Sequence, residues 1–361
     1  MITTDVARLF DECKLTQGEI DALVQCGVRT IESAHSVLTL FPSALRDKTR
    51  SEAALAWIKG RVGKSFFSKN ESLLGSRVFS YGAASAPSGT ILASVGGARS
   101  KLGQGDAVDL HFGGWPVVDQ FDRGTCVPFA LTALYEYYWK GKNGTLVDFS
   151  EQFICWATKN HSSDDQPLSE STKLQFAGEA LGSWGICPFI DFDYDPISPP
   201  AGGPVAPRSP PPAVISAAIP NAKALTFYRD WDKVSYIPDA ARIIAGRLRE
   251  GRPIAVCLRT FSDPANAPYD NWWTYDAIEY GAVFGRPPGS VASGAHCVCI
   301  TGFFPDPNEP MGGYFTFRNS WGQVRWGIRS RDNPYGKLLQ SGYGTVPATY
   351  VNDWCWEMLQ L

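Results

Sequence analysis

The chain has 361 residues, 44% of them hydrophobic and 19% charged, with a formal net charge of −3. That length carries one large domain and a smaller one with ample core, and the charge gives no reason to expect nucleic acid or an anionic membrane as partner. No stretch reaches the roughly 18 apolar residues of a spanning helix, so no membrane span is expected.

The opening "MITTDVARLFDECKLTQGEI" lacks the basic start and apolar run of a secretory signal. The nine cysteines are scattered singly, apart from Cys297 and Cys299. An odd, scattered set is poor material for a disulfide framework and suits a reducing compartment. A cytoplasmic location is the expectation, with export by a route that needs no such signal left open.

Residues 1–62 read as a helical unit, built from "TDVARLFDEC", "TQGEIDALVQCG", "RTIESAHSVL" and "PSALRDKTRSEAALAWIKG". Thr16 three residues before Glu19 has the spacing of a capping box, Gly27 reads as a helix stop and Pro42 as a helix start. Residues 63–106 are rich in Gly, Ser and Ala and read as a linker, or as an extended segment crossing the next domain. In the large domain, 107–361, helices are expected over 126–140, 150–158, 171–182 and 239–251. A Pro-rich insertion over 195–220 is expected to form neither helix nor central strand. "PIAVCLRTF", "HCVCITGFF" and "YFTFRNS" follow as strands. Helices first and strands after argue for the α+β class.

Cys126 poses the functional question. Val127, Ala130, Leu131, Leu134 and Tyr138 fall on one face of a helix, and Pro128 fits only in its first turn. Cys126 is thereby placed at the helix N-terminus, where unsatisfied N–H groups favour thiolate, the nucleophilic form. A nucleophile needs a base, and the chain has four histidines. His35 falls in the N-terminal helices, His161 in the polar "KNHSSDD" read as loop, and His111 before the cysteine. His296 opens the apolar strand "GAHCVCITGFF", and Asn319, ending "YFTFRNS", can supply an amide oxygen to orient an imidazole. His296, Cys297 and Cys299 do not read as a metal site, because a strand turns 297 and 299 to one face and 296 to the other.

The order Cys126, His296, Asn319 resembles that of the papain-like cysteine peptidases. Gln120 stands six residues before Cys126, "SEQFICWA" looks like the family's Ser-Glu-Gln segment, and "RNSWGQVRWG" resembles its Asn-Ser-Trp-Gly block. "GYGTVP" is similar to its closing Gly-Tyr segment. The Cys126–His296 separation of 170 residues exceeds the roughly 130–150 of papain and cathepsins, and the Pro-rich insertion accounts for much of the excess. Val127 stands where the family has Trp, and Arg123 where members carry a disulfide cysteine. In this the chain resembles bacterial, disulfide-poor members.

The resemblance implies a two-lobed fold, with a helical lobe carrying Cys126 and a β-barrel-like lobe carrying His296 and Asn319, preceded by a small all-α domain. It implies hydrolysis of a protein or peptide substrate through a thioester acyl-enzyme, with no metal and no cofactor. Cys126 would be the nucleophile and His296 its partner base. Asn319 would orient the imidazole and Trp321 would shield that bond. Gln120 and the Cys126 N–H would form the oxyanion hole. Trp272 and Trp273, just before the His296 strand, read equally as substrate contacts or as packing. Residues 1–62 read as a regulatory or adaptor unit that recruits a protein partner, or as a pro-domain. A ligase or isopeptidase, and a catalytically silent binding protein, stand as alternatives.

Overall fold

The computed structural model describes residues 2–26, 28–45, 47–61, 101–102, 107–164, 166, 168–198, 208–227, 236–266, 269–333, 335 and 340–361. The expected linker over 63–106, apart from residues 101 and 102, lies outside the described residues, as do Gly27 and residues 199–207 of the Pro-rich stretch.

Four helices open the chain: α1 (Thr4–Glu12), α2 (Gln17–Gln25), α3 (Ile31–Leu40) and α4 (Lys48–Arg61). Their starts follow local chemistry. Thr16 and Glu19 form a reciprocal capping box, satisfying two N–H groups that a helix start leaves without intrahelical partners. Pro42 opens only a short 3₁₀ turn, Pro42–Ala44. The Asp47 carboxylate accepts the N–H groups of Thr49 and Arg50 at 2.9 and 3.3 Å, so the long helix starts there instead. These helices bury a core of their own around Leu9, Phe10, Leu23, Val37, Leu38 and Ile58. They also rest on Asp263, Asn266 and Tyr275 of the larger part. Ser43 Oγ donates to Asp263 Oδ2 at 2.6 Å, Asn266 Nδ2 to the Thr39 carbonyl at 2.7 Å, and the Tyr275 N–H to Ser36 Oγ at 2.7 Å.

The remaining residues wrap helices around an antiparallel sheet. Its strands are β1 (Val108–Asp109), β2 (Thr226–Phe227), β3 (Ile254–Ser262), β4 (Val291–Pro305), β5 (Gly313–Arg318), β6 (Tyr343–Pro347) and β7 (Cys355–Gln360). They run in the order β2-β7-β3-β4-β5-β6, with β1 against β4. Among the described residues β2 and β6 are the ends of this path. Alternation sorts the side chains. Ala255, Cys257, Ala295, Cys297 and Cys299 face helix α5 (Cys126–Asn143). Ile254, Val256, Leu258, Val298 and Ile300 face the opposite way, into the cluster with α9 (Ala240–Arg249) and α11 (Ala348–Trp354).

Helix α6 (Glu151–His161) and α7 (Leu174–Trp184) complete the cover beside α5. His161, expected in a loop, is the last residue of α6, with its ring stacked 4.1 Å from that of Trp184. The Pro-rich stretch also departs from expectation: Pro212–Ala218 is a helix, α8. Proline in a first turn sacrifices no intrahelical bond, and "AVISAA" then continues it until Ala218 is buried beside Phe153 and Cys187. Gly185, at φ +70°, lies so close to the Ala218 carbonyl that a Cβ would meet it at 1.9 Å, so this close approach needs glycine. A further helix, α10 (Tyr275–Tyr280), precedes β4.

Candidate active site

Cys126 is the first residue of α5, fully buried. The Thr125 hydroxyl pairs with Tyr194 Oη at 2.7 Å instead of capping the helix, so the first-turn N–H groups are not answered by a side-chain cap. They raise the local positive potential around the sulfur. A further N–H, from Cys297 on β4, donates to Cys126 Sγ at 3.3 Å. The sulfur is thus held on the peptide that joins His296 to Cys297, although 171 residues separate Cys126 from Cys297 in the chain.

His296 points into the opposite side of β4 from Cys297, as alternation requires. Its Nε2–H donates to Asn319 Oδ1 at 2.7 Å, and the same oxygen accepts the Ser320 N–H at 2.8 Å. An acceptor that takes two N–H donors must be the oxygen of the carboxamide, which fixes the imidazole with its proton on Nε2. Nδ1 then carries the lone pair that a base needs. Trp321 stacks on the imidazole at 4.2 Å between ring centroids, and Trp272 meets it edge-on at 5.0 Å. Burial among these rings pushes His296 down to about 3, partly offset by the bond to Asn319. The imidazole is therefore neutral at pH 7 in this closed state.

Gln120 is brought to the same place by backbone pairing. Its N–H donates to the Ser320 carbonyl at 2.8 Å, which ties the loop before α5 to the residue after Asn319. Its side-chain Nε2 donates to the Arg123 carbonyl at 2.6 Å, and its Oε1 accepts from Ser320 Oγ at 2.5 Å. Around the turn, Phe121 takes a left-handed conformation at φ +54°. Arg123, only 2% exposed, donates through Nε to Glu170 Oε1 at 2.6 Å, and through Nη1 to Gln152 Oε1 at 2.9 Å and the Asp195 carbonyl at 2.6 Å.

Cys126, His296, Asn319, Gln120 and Trp321 therefore converge from three separate stretches of chain. Trp272 and Trp273, read as substrate contacts or packing, are 0% and 4% exposed. Trp272 packs on His296 and donates its indole N–H toward Tyr350 Oη at 3.4 Å. Trp273 lies 6.4 Å from Trp321. Both indoles are packing in this state and offer no accessible face to a ligand. Arg123 is a support of the turn, and its partners Glu170 and Tyr194 escaped the sequence reading altogether. All nine cysteines are free thiols. Among the described residues no group of three or more His, Cys, Asp or Glu side chains could hold a metal ion.

No protein-family model matches the chain, and no curated protein does. Solved structures do. Xylellain, a cysteine protease from Xylella fastidiosa, superposes with a TM-score of 0.56 at 16% identity, covering 79% of this chain and 96% of that one. A recombinant stem bromelain precursor aligns at 18% identity with a TM-score of 0.42, over 71% of this chain and 69% of its own. The fold is that of the papain-like cysteine proteases. Helices on both faces of an antiparallel sheet, with Cys126 leading one helix and His296 on the strand beneath it, are the form that fold takes here.

Proposed function

We propose that this protein is a cysteine endopeptidase, with Cys126 as nucleophile, His296 as general base and acid, and Asn319 orienting the imidazole. The observation that carries the reading is the chain of contacts from Cys126 Sγ through the His296–Cys297 peptide to the 2.7 Å bond between His296 Nε2 and Asn319 Oδ1. Nδ1, the basic nitrogen of that tautomer, takes the thiol proton. Thiolate and imidazolium then form together, because each charge stabilises the other and neither is favourable alone in so dry a site. The thiolate adds to the substrate carbonyl, and the oxyanion is met by the Cys126 N–H and the Gln120 carboxamide, whose other proton engages Arg123. Collapse expels the amine with the proton from His296, and water hydrolyses the thioester by the same route in reverse. Trp321 and Trp272 keep water from the His296–Asn319 bond. The α1–α4 unit regulates access or recruits a partner, a role supported by its contacts with Asp263, Asn266 and Tyr275, which flank Trp272.

An epoxide directed at thiolates, read by intact mass, tests this on the full chain and on a chain beginning at Lys101, which keeps buried Leu102. One adduct per molecule, lost on Cys126→Ala together with about 10⁴-fold or more of any peptide hydrolysis, is the expected outcome. Labelling of the shorter chain alone assigns residues 1–100 as an inhibitory segment. No adduct at Cys126 in either folded form overturns the reading.

A further inference from the structure

We propose that Arg123 and Glu170 are positioning residues for the oxyanion donor, holding the Gln120 carboxamide and the turn before Cys126 in register. The inference rests on the peptidase reading above and adds to it two residues outside the Cys126, His296 and Asn319 set.

The connections are direct. Glu170 uses both carboxylate oxygens on this turn: Oε1 takes Arg123 Nε at 2.6 Å, and Oε2 takes the Gly124 N–H at 2.9 Å. Gly124 is two residues before Cys126. The Arg123 guanidinium reaches on to Gln152 of α6 and to the Asp195 carbonyl, and lies 5.0 Å over the Tyr194 ring. The Tyr194 hydroxyl in turn donates to the Gln120 carbonyl at 3.0 Å and pairs with Thr125 Oγ1 at 2.7 Å. Every residue from Gln120 to Thr125 except Phe121 and Asp122 is therefore gripped by this one cluster. The Arg123 carbonyl, whose place the guanidinium fixes, is the acceptor that aims the Gln120 Nε2.

Stability is a poor explanation for such an arrangement. A buried ion pair replaced by apolar groups of similar volume commonly leaves a protein equally or more stable. What the fork geometry of arginine supplies is direction, through several fixed donors at once. Direction matters for an oxyanion donor, because a displacement of about 1 Å in a catalytic group can cost on the order of a hundredfold in rate.

The test separates two reactions of the same sulfur on the full chain. Acylation of Cys126 by p-nitrophenyl acetate passes through an oxyanion, whereas alkylation by iodoacetamide does not. Glu170→Gln is compared with the double variant Arg123→Met/Glu170→Gln, which leaves no unpaired buried charge and so keeps the fold within reach if the single variant fails to fold. Acylation at least tenfold slower with alkylation within threefold of wild type, and partial recovery in Arg123→Lys relative to Arg123→Met, is the expected result. Both reactions falling by the same factor would mean a merely structural cluster, and neither changing would mean an idle one; either overturns the inference while the wild type still reacts. A wild-type chain inert to both reagents overturns the peptidase reading and this inference with it.

Discussion

The two halves of the site are held by opposite physics. On the nucleophile side, the turn before Cys126 is fixed by a buried arginine, a carboxylate and a tyrosine hydroxyl, all paired. On the His296 side, the imidazole donates to the Asn319 carboxamide inside a wall of indoles, with Trp326 donating its Nε1–H to the Trp272 carbonyl at 3.1 Å behind it. Charge persists in the first half because every charge has a partner. In the second half burial pushes titratable groups toward their neutral forms, because desolvation disfavours the ion. Asp276 of α10, facing the N-terminal helices, is likewise pushed up to about 8 by burial, with the Glu32 charge adding to the rise and the Arg29 charge opposing it. Under the proposed function, the oxyanion donor is held by directional bonds and the base by a surface that does not compete for its proton.

Substitutions that remove one style of support sharpen the contrast. Asn319→Ala should have the largest effect, lowering peptide hydrolysis at least about tenfold through loss of tautomer and orientation, with steady-state kinetics as the measurement. Trp321→Ala should admit water to His296 and raise it from about 3 toward its usual range. An NMR titration of the imidazole would show this as a titration appearing between pH 5 and 7, absent from the wild type. An unchanged titration would break the claim that indoles keep the base neutral.

The pH dependence of stability carries the same contrast with two signs. His296 is lowered in the folded state, so its contribution is full above the unfolded value near 6.5 and is lost as pH falls toward about 3. Asp276 is raised, so the unfolded chain releases its proton first, and stability falls as pH rises from about 4 to about 8. Asp276→Asn should therefore raise the Tm, more at pH 8 than at pH 5, measured by thermal melts across that range. The smallest effect belongs to the N-terminal helices. Ser43→Ala removes the bond to Asp263 and should cost about 1 kcal/mol, seen as a small drop in Tm.

Local chemistry was readable in the sequence and long-range pairing was not. Pro128 and the apolar spacing after it marked the start of α5, and alternation in β4 correctly set His296 against Cys297 and Cys299. That Gln120, Asn319 and Trp321 lie near Cys126 and His296 was legible because they sit in short motifs beside them. Glu170 sits in the polar run "LSESTK", where nothing distinguishes it from a surface carboxylate until Arg123, 47 residues earlier, folds against it. Trp272 was ambiguous for the same reason, since only its contact with His296 makes it packing. The helix Pro212–Ala218 was hidden by weighing the prolines before it as breakers when they occupy a start.

The pairing of buried Arg123 with part-buried Glu170 also bears on how this sequence can drift. Losing Glu170 strands the Arg123 guanidinium in a dry place, which typically costs about 3–5 kcal/mol, a large share of a domain's stability, while losing Arg123 leaves a partly exposed carboxylate without its partner. Losing both together carries no such penalty. Positions 123 and 170 should therefore change in step across any set of descendants of this chain, with mixed states rare, and a random mutagenesis screen for folded protein should recover double replacements at these positions more readily than either single one.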